Sequence, residues 1–295
     1  MDFIAAIGEQ EISRRMRPKR ASESAFFAIS ALLFVASAAA TILWCGSMSA
    51  MGEMPMPGDW TMSMALMLMP GQTWLEAAAS FLGMWIVMMV AMMLPSLVPM
   101  LWRYRQAVEE RSDAHLGLLT VVAGLGYFFI WTLFGMATFP LGVAIATAEM
   151  QLPALARAVP VALGVIVLAA GALQFSTWKV SHLSCCRTIP APRKTLPADA
   201  GTAWRHGLRL GLHCTYCCAG PIAVLLAIGV MDLRIMAVVT AAITAERLAP
   251  AGVQVARAIG AAAIGVGLVL IARTVGNWCL AADILAPGFW LLPPY

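Results

Sequence analysis

The sequence predicts an all-α, polytopic membrane protein of about seven transmembrane helices, and three observations carry that expectation. Charged residues are scarce: 19 Lys and Arg with 15 Asp and Glu make 12% of 295 residues, against about 25% in ordinary soluble domains. Apolar residues reach 61% and mean hydropathy is +0.83, more apolar surface than a soluble domain can bury. The apolar residues also gather in long uninterrupted windows, and a bilayer core needs about 20 such residues at 1.5 Å rise each. Together these exclude a soluble enzyme, a disordered chain and a secreted disulfide scaffold. The net charge is +4, and its basic residues fall in short scattered clusters, so no nucleic-acid surface is expected.

Residues 1–24 are too charged to span and read as a basic cytoplasmic tail. They are not a cleavable signal, because the charged stretch is long and no small-residue cleavage site follows a short apolar core. The windows then run at Ala25–Gly46, Ala77–Leu101, Leu116–Val143, Ala154–Trp178, Gly207–Met231, Leu233–Ala249 and Val253–Ala272. The sixth is the shortest and starts straight after a tight Met231-Asp232-Leu233-Arg234 link. The transmembrane domain is thus 25–273, with a Met-rich outer loop at 47–76, a Cys/His inner loop at 179–206 and an outer tail at 274–295. Sixteen Lys and Arg fall on one side of this arrangement and three, Arg157, Arg234 and Arg273, on the other. The positive-inside rule then puts the N-terminus in the cytoplasm and the C-terminus outside a bacterial inner membrane.

This topology sorts the sulfur. The outer loop holds eight of the 20 methionines, three acidic residues and no Lys or Arg. Thioethers are soft ligands that favour Cu(I) and survive an oxidising compartment. Met48, Met51, Met54 and Met56 form a candidate copper-capture set, the alternative being an interfacial segment that dips into lipid. On the inner side, Gly207–Cys218 reads G-L-R-L-G-L-H-C-T-Y-C-C, placing Cys214, Cys217 and Cys218 at i, i+3 and i+4 on one helical face. The preceding connection supplies His182, Cys185 and Cys186. We take Cys214, Cys217, Cys218, Cys186 and His182 as candidate ligands for Cu(I), or alternatively zinc, with Cys185 and His213 as alternates. Membrane-helix cysteines also serve as small hydrophobes, an account that suits one cysteine better than five in a reducing compartment. His206, between Arg205 and Arg209, and His115, in another basic loop, read as solvated. Cys45 and Cys279 both face the oxidising side, where a disulfide requires their Cα atoms to lie about 4.4–6.8 Å apart.

Met84, Met88 and Met92 line one face of span two with Met89 and Met93 beside them, either a packing stripe or a ligand ladder. Pro95 and Pro99 free backbone carbonyls at its inner end. Glu246 is an ionisable group at membrane depth, where such groups face the bundle interior and have a partner or a function. Arg247 is the nearest candidate partner, and support of the metal ligands from behind is the functional alternative. No P-loop, nucleophile elbow or GxGxxG motif is present.

Met88-Met89-Val90-Ala91-Met92-Met93-Leu94-Pro95-Ser96, Gly126-Tyr127 with Trp131, Lys179 to Arg187, Gly211-x-x-Cys214-x-x-Cys217-Cys218, and Gly229-Val230-Met231 leading to Glu246 resemble a bacterial family of unassigned domain described as predicted metal-binding integral membrane proteins. The resemblance covers roughly residues 80–275. Some members are linked to copper delivery to a tyrosinase-type copper oxidase, so it implies a copper-chaperone or copper-insertion role. The chain departs from the family pattern at three places. His182 stands where the first cysteine of Lys-x-x-Cys-Leu-x-x-Cys-Arg is usual, Ala219 replaces an aromatic, and Arg247 replaces a lysine.

Three functions follow from these readings. The first is a non-enzymatic protein that binds Cu(I) and passes it to a copper-protein client or across the lipid bilayer. The second is a membrane thiol oxidoreductase using Cys214-Thr215-Tyr216-Cys217, and the third a structural or assembly subunit of a membrane complex. The resemblance favours the first.

Overall fold

A computed structural model describes the backbone of residues 2–49, 54–56, 60–62, 71–108, 113–188 and 197–285, and the side chains of 22–48, 71–108, 115–184 and 197–276. The described residues form eight helices: α1 Asp2–Ser49, α2 Trp74–Ala107, α3 Asp113–Gln151, α4 Pro153–Leu173, α5 Thr177–Thr188, α6 Ala200–Ile228, α7 Leu233–Leu248 and α8 Gly252–Leu285. Six of these (α1, α2, α3, α4, α6 and α8) contain segments long and apolar enough to cross a membrane.

The differences from the expected seven spans have physical causes. The window at Leu233–Ala249 does form a helix, but its 16 residues reach only about 24 Å at 1.5 Å each, short of a hydrocarbon core of about 30 Å. The fourth window stops early at Leu173. Ser176 then caps a new helix by accepting the Lys179 amide at 3.1 Å, so the first part of the expected inner loop is helix α5. The basic tail is continuous helix with the first apolar window. One exception to the all-α expectation lies within the Met-rich loop: β1 Met54–Met56 pairs antiparallel with β2 Trp60–Met62, with Met54 opposite Met62 and Met56 opposite Trp60.

The chain divides into two compact units. The first comprises Met1–Gly46, Ala78–Ala137 and Ser184–Thr215. Its centre is the α2 stripe, where Met84, Met88, Met89, Met92 and Met93 are all buried. The Trp85 indole donates to the Trp131 carbonyl at 2.9 Å, tying α2 to α3. The α3 and α6 backbones approach at glycine, since a Cβ at Gly126 would sit 2.8 Å from the Trp204 carbonyl oxygen and one at Gly211 2.9 Å from that of Tyr127. Close backbone approach through small residues is how membrane helices gain packing energy when lipid is as apolar as their side chains. Asp199 caps α6, accepting the Thr202 amide at 2.8 Å. Hydrogen bonds from Thr202, the hydroxyl first and then the amide, hold the Asp199 carboxyl below its ordinary range.

The second unit comprises Ser47–Ala77, Thr138–Leu183 and Tyr216–Tyr295. Here α4 and α8 run antiparallel along a glycine seam. A Cβ on Gly171 would lie 2.8 Å from the Gly260 oxygen, and one on Gly267 2.9 Å from the Gly164 oxygen. Asp232 caps α7 by accepting the amides of Arg234 and Ile235. Large aliphatic side chains stay on the outside in both units, Leu43 at 74% and Leu75 at 80% exposure among them. Water is a poor partner for such a surface and lipid a good one.

Candidate functional site

Helix α6 has the residue spacing that the cysteine pattern requires. Its buried positions include Ala203, His206, Leu210, Gly211, Cys214, Cys217, Cys218, Ile222 and Leu225, a stripe that recurs at helical spacing. The three cysteines therefore belong to the packed stripe of the helix, each at most 1% exposed.

Within the first unit, the Cys214 sulfur lies 2.8 Å from the Tyr127 hydroxyl and 3.9 Å from the Met93 sulfur. All three side chains are fully buried. With the thiol donating to the thioether, the phenol donates to the cysteine sulfur, and the three groups form one polar chain in an apolar interior. The Gly211 approach brings the Tyr127 turn of α3 against α6, and Met93 ends the methionine stripe of α2. A thiol and a thioether held together are a soft donor pair. His206 corrects its expected solvation: it is buried and stacks on Tyr104, with ring centroids 4.8 Å apart. Among the described residues neither His206 Nε2 nor the Tyr104 hydroxyl has a hydrogen-bond partner. His115 is exposed, 3.4 Å from the Ala198 carbonyl.

Within the second unit, Glu246 is buried, and its partner is not Arg247. The Lys179 ammonium reaches Glu246 Oε2 at 2.6 Å and the Cys217 carbonyl at 2.7 Å. Gln174 donates to Glu246 Oε1 at 2.8 Å. Arg247 points elsewhere, its Nη2 donating to the Cys218 sulfur at 3.3 Å. A buried ion pair is tolerated when its remaining lone pairs and protons are also satisfied, and the Gln174 amide and Cys217 carbonyl do that here. His182 is half-buried on α5, its Nδ1 2.8 Å from the Trp178 carbonyl. A carbonyl only accepts, so Nδ1 carries the proton, and in the neutral ring Nε2 holds the lone pair. The rings of Trp178 and Tyr216 flank His182 at 4.6 and 5.5 Å.

The candidate ligands are thus unequally placed. His213 follows α6 beside Cys214, half-buried. Cys185 and Cys186 belong to α5, with side chains outside the described residues, as is that of Cys279; Cys45 is buried. Among the described residues, no three His, Cys, Asp or Glu side chains come together as a metal-binding group. The thiols of α6 instead engage separate partners, Cys214 with Tyr127 and Met93, Cys218 with Arg247. Of the four candidate methionines, Met48 lies in the last turn of α1, Met54 and Met56 lie in β1, and Met51 falls outside the described residues.

Sequence reasoning missed Tyr127, Met93 and Gln174 as partners, and read Lys179 as a charge of the inner loop and the first residue of a family motif, not as the partner of Glu246. Two signals were available. Met93 continues the methionine stripe, and Pro221, four residues after Cys217, must leave a carbonyl in need of a donor.

Comparison with curated proteins and with solved structures returned no match. A family model described as PpoB2, copper chaperone, matches residues 82–270. That stretch holds Met93, Tyr127, Lys179, the α6 cysteines and Glu246, and it spans well over half of the sequence, so the chain belongs to the PpoB2 copper chaperone family.

Proposed function

We propose that this protein is a membrane-embedded, non-enzymatic Cu(I) carrier that hands copper to a client copper protein, with the α6 thiols Cys214, Cys217 and Cys218 as its principal donors. The observation that carries this reading is the buried pairing of the Cys214 thiol with the Met93 thioether, 3.9 Å apart. Thiol with thioether selects Cu(I) over hard cations, and zinc, which takes four nitrogen, sulfur or oxygen ligands, is served less well. With metal–sulfur bonds of about 2.3 Å, the zinc–thiolate length, one ion bridges such a pair in a bent geometry that leaves a third direction open. Loading replaces the thiol proton: Cu(I) and Cys–SH give Cys–S–Cu and a released proton. Cys186 and His182 are further proposed donors with Cys185 and His213 as alternates, and Glu246 supports the ligand-bearing helix from behind. The charge distribution supports an N-terminus inside a bacterial inner membrane, and on this reading the short α7 also crosses as a seventh span, the bilayer thinning around it, so that the C-terminus lies outside. In that orientation the methionines at 48, 51, 54 and 56 meet copper on the outer side.

The test is anaerobic titration of the detergent-solubilised protein with Cu(I) against a chromophoric chelator. Wild type is expected to bind copper stoichiometrically, Cys214→Ser to lose that binding, and Met93→Leu, which nearly conserves volume, to weaken it by about tenfold, or about 1.4 kcal/mol. Wild-type protein that takes up no Cu(I), or both variants titrating like wild type, would overturn the reading.

A further inference from the structure

We propose that Lys179 and Glu246 act as positioning residues: together they clamp the cysteine turn of α6 at a backbone carbonyl that Pro221 deprives of its helical donor. In an α-helix the carbonyl of residue i accepts the amide of residue i+4. For Cys217 that residue is Pro221, which lies inside α6 and has no N–H to give. An unpaired carbonyl in an apolar interior is costly, so the helix needs a donor from outside itself. Lys179 supplies it at 2.7 Å.

The donor is itself held. Glu246 fixes the same ammonium at 2.6 Å, and Gln174 fixes Glu246 at 2.8 Å. A chain of carbonyl, ammonium, carboxylate and amide therefore ties α6 to α5, to α7 and to the residue that follows α4. The carbonyl it grips belongs to Cys217, and on the same α7 turn Arg247 donates to the sulfur of the next residue, Cys218. The lysine acts on the backbone that carries the thiols and on no copper ligand atom. Were an N–H present at position 221, the Cys217 carbonyl would be satisfied within the helix and Lys179 would have no structural task there. The effect of losing the clamp must therefore depend on the proline. The clamp stands on geometry alone, and only its consequence for copper affinity rests on the proposed Cu(I) carrier function.

The experiment uses the full-length protein in three forms besides wild type. Pro221→Ala restores a helical donor, Lys179→Met with Glu246→Gln removes the clamp without stranding a charge, and the triple variant combines them. Two quantities are read: Cu(I) affinity by chelator competition, and the rate at which a maleimide mass tag labels the apo thiols. The paired variant is expected to keep copper stoichiometry but bind about 10–100-fold more weakly, the loss usual for groups that orient metal ligands, and to label faster. Adding Pro221→Ala is expected to return both quantities to near the wild-type values, a rescue that a general packing role of the ion pair would not produce. A paired variant indistinguishable from wild type, or a triple variant no better than the paired one, overturns the clamp. If wild type takes up no Cu(I), the carrier reading falls, and the labelling rates still decide the clamp. Should the paired variant fail to fold, Lys179→Met is compared with and without Pro221→Ala. Recovery of folded protein supports the clamp, and no recovery overturns it.

Discussion

Replacing Tyr127 by Phe removes one oxygen from the buried core and separates what the phenol does for the apo protein from what it does for bound copper. The Tyr127 backbone lies where α3 meets Gly211, and the residue is fully buried, so a substitution that keeps the ring leaves its apolar contacts in place. In the apo protein the loss is one neutral hydrogen bond to a weak sulfur acceptor, 2.8 Å long, for which about 0.5–1.5 kcal/mol is expected. Once Cu(I) has displaced the thiol proton, the same hydroxyl donates to a thiolate, and hydrogen bonds to charged groups contribute about 1.5–3 kcal/mol. The difference, about 1–1.5 kcal/mol, falls on binding and corresponds to about 5- to 12-fold weaker Cu(I) affinity. Chelator competition measures the affinity, and denaturation of the apo protein in mixed detergent measures the stability. The reasoning fails if Tyr127→Phe binds Cu(I) as tightly as wild type, or if the apo protein loses more stability than the copper complex.

Two further predictions concern the scaffold. At the α4–α8 seam, Gly171→Val places its Cβ within 2.8 Å of the Gly260 oxygen and is expected to destabilise by about 1–3 kcal/mol through overpacking. Gly265→Ala meets nothing within 4 Å and is expected to stabilise α8 by up to about 1 kcal/mol, so thermal unfolding in detergent should move the two variants in opposite directions. For orientation, a reporter active only outside the cytoplasm should work when fused after Tyr295, and one active only inside should work near Pro197. The opposite pattern would reverse the sides proposed for the methionines and the cysteines.

The long helices could be read from the sequence because membrane helices announce themselves by length and apolarity, two properties that survive without knowledge of neighbours. Helix α5 escaped because Thr177–Thr188 mixes polar and apolar residues without a long apolar run, and its start signal is a capping Ser176 inside what looked like a continuing span. The hairpin escaped because Met-Pro-Met and Trp-Thr-Met lack the alternating β-branched pattern that marks a strand. The candidate site divides the same way. The α6 cysteine stripe follows from helical spacing, and all three thiols are buried as a shared face requires. Their partners do not follow, since Met93 is 121 and Tyr127 87 residues from Cys214, and no local pattern encodes such pairings. Lys179 misled because positive charge near a span end ordinarily reports topology, whereas here it is 3% exposed and paired with Glu246.

The charge balance of the Cys214–Met93 pair bears on which ion it would carry on the proposed reading. Burying a net charge in a low-dielectric interior costs several kcal/mol per ion even after relaxation. When Cu(I) takes the place of the thiol proton, one positive charge leaves as another arrives, and the thioether adds a donor without adding charge. The pair can therefore fill and empty without its interior gaining or losing net charge, which suits a protein that must release what it binds. A divalent ion on the same two sulfurs would leave one positive charge uncompensated and would need a second thiolate. Cys217 and Cys218 lie one turn further along the same helix, but the Arg247 guanidinium already sits 3.3 Å from the Cys218 sulfur. A cation approaching that sulfur must displace the guanidinium or be repelled by it, whereas Cys214 faces a phenol and a thioether, neither of them charged. On the proposed reading, monovalent copper therefore enters at Cys214 first, and the arginine makes Cys218 the harder sulfur to load.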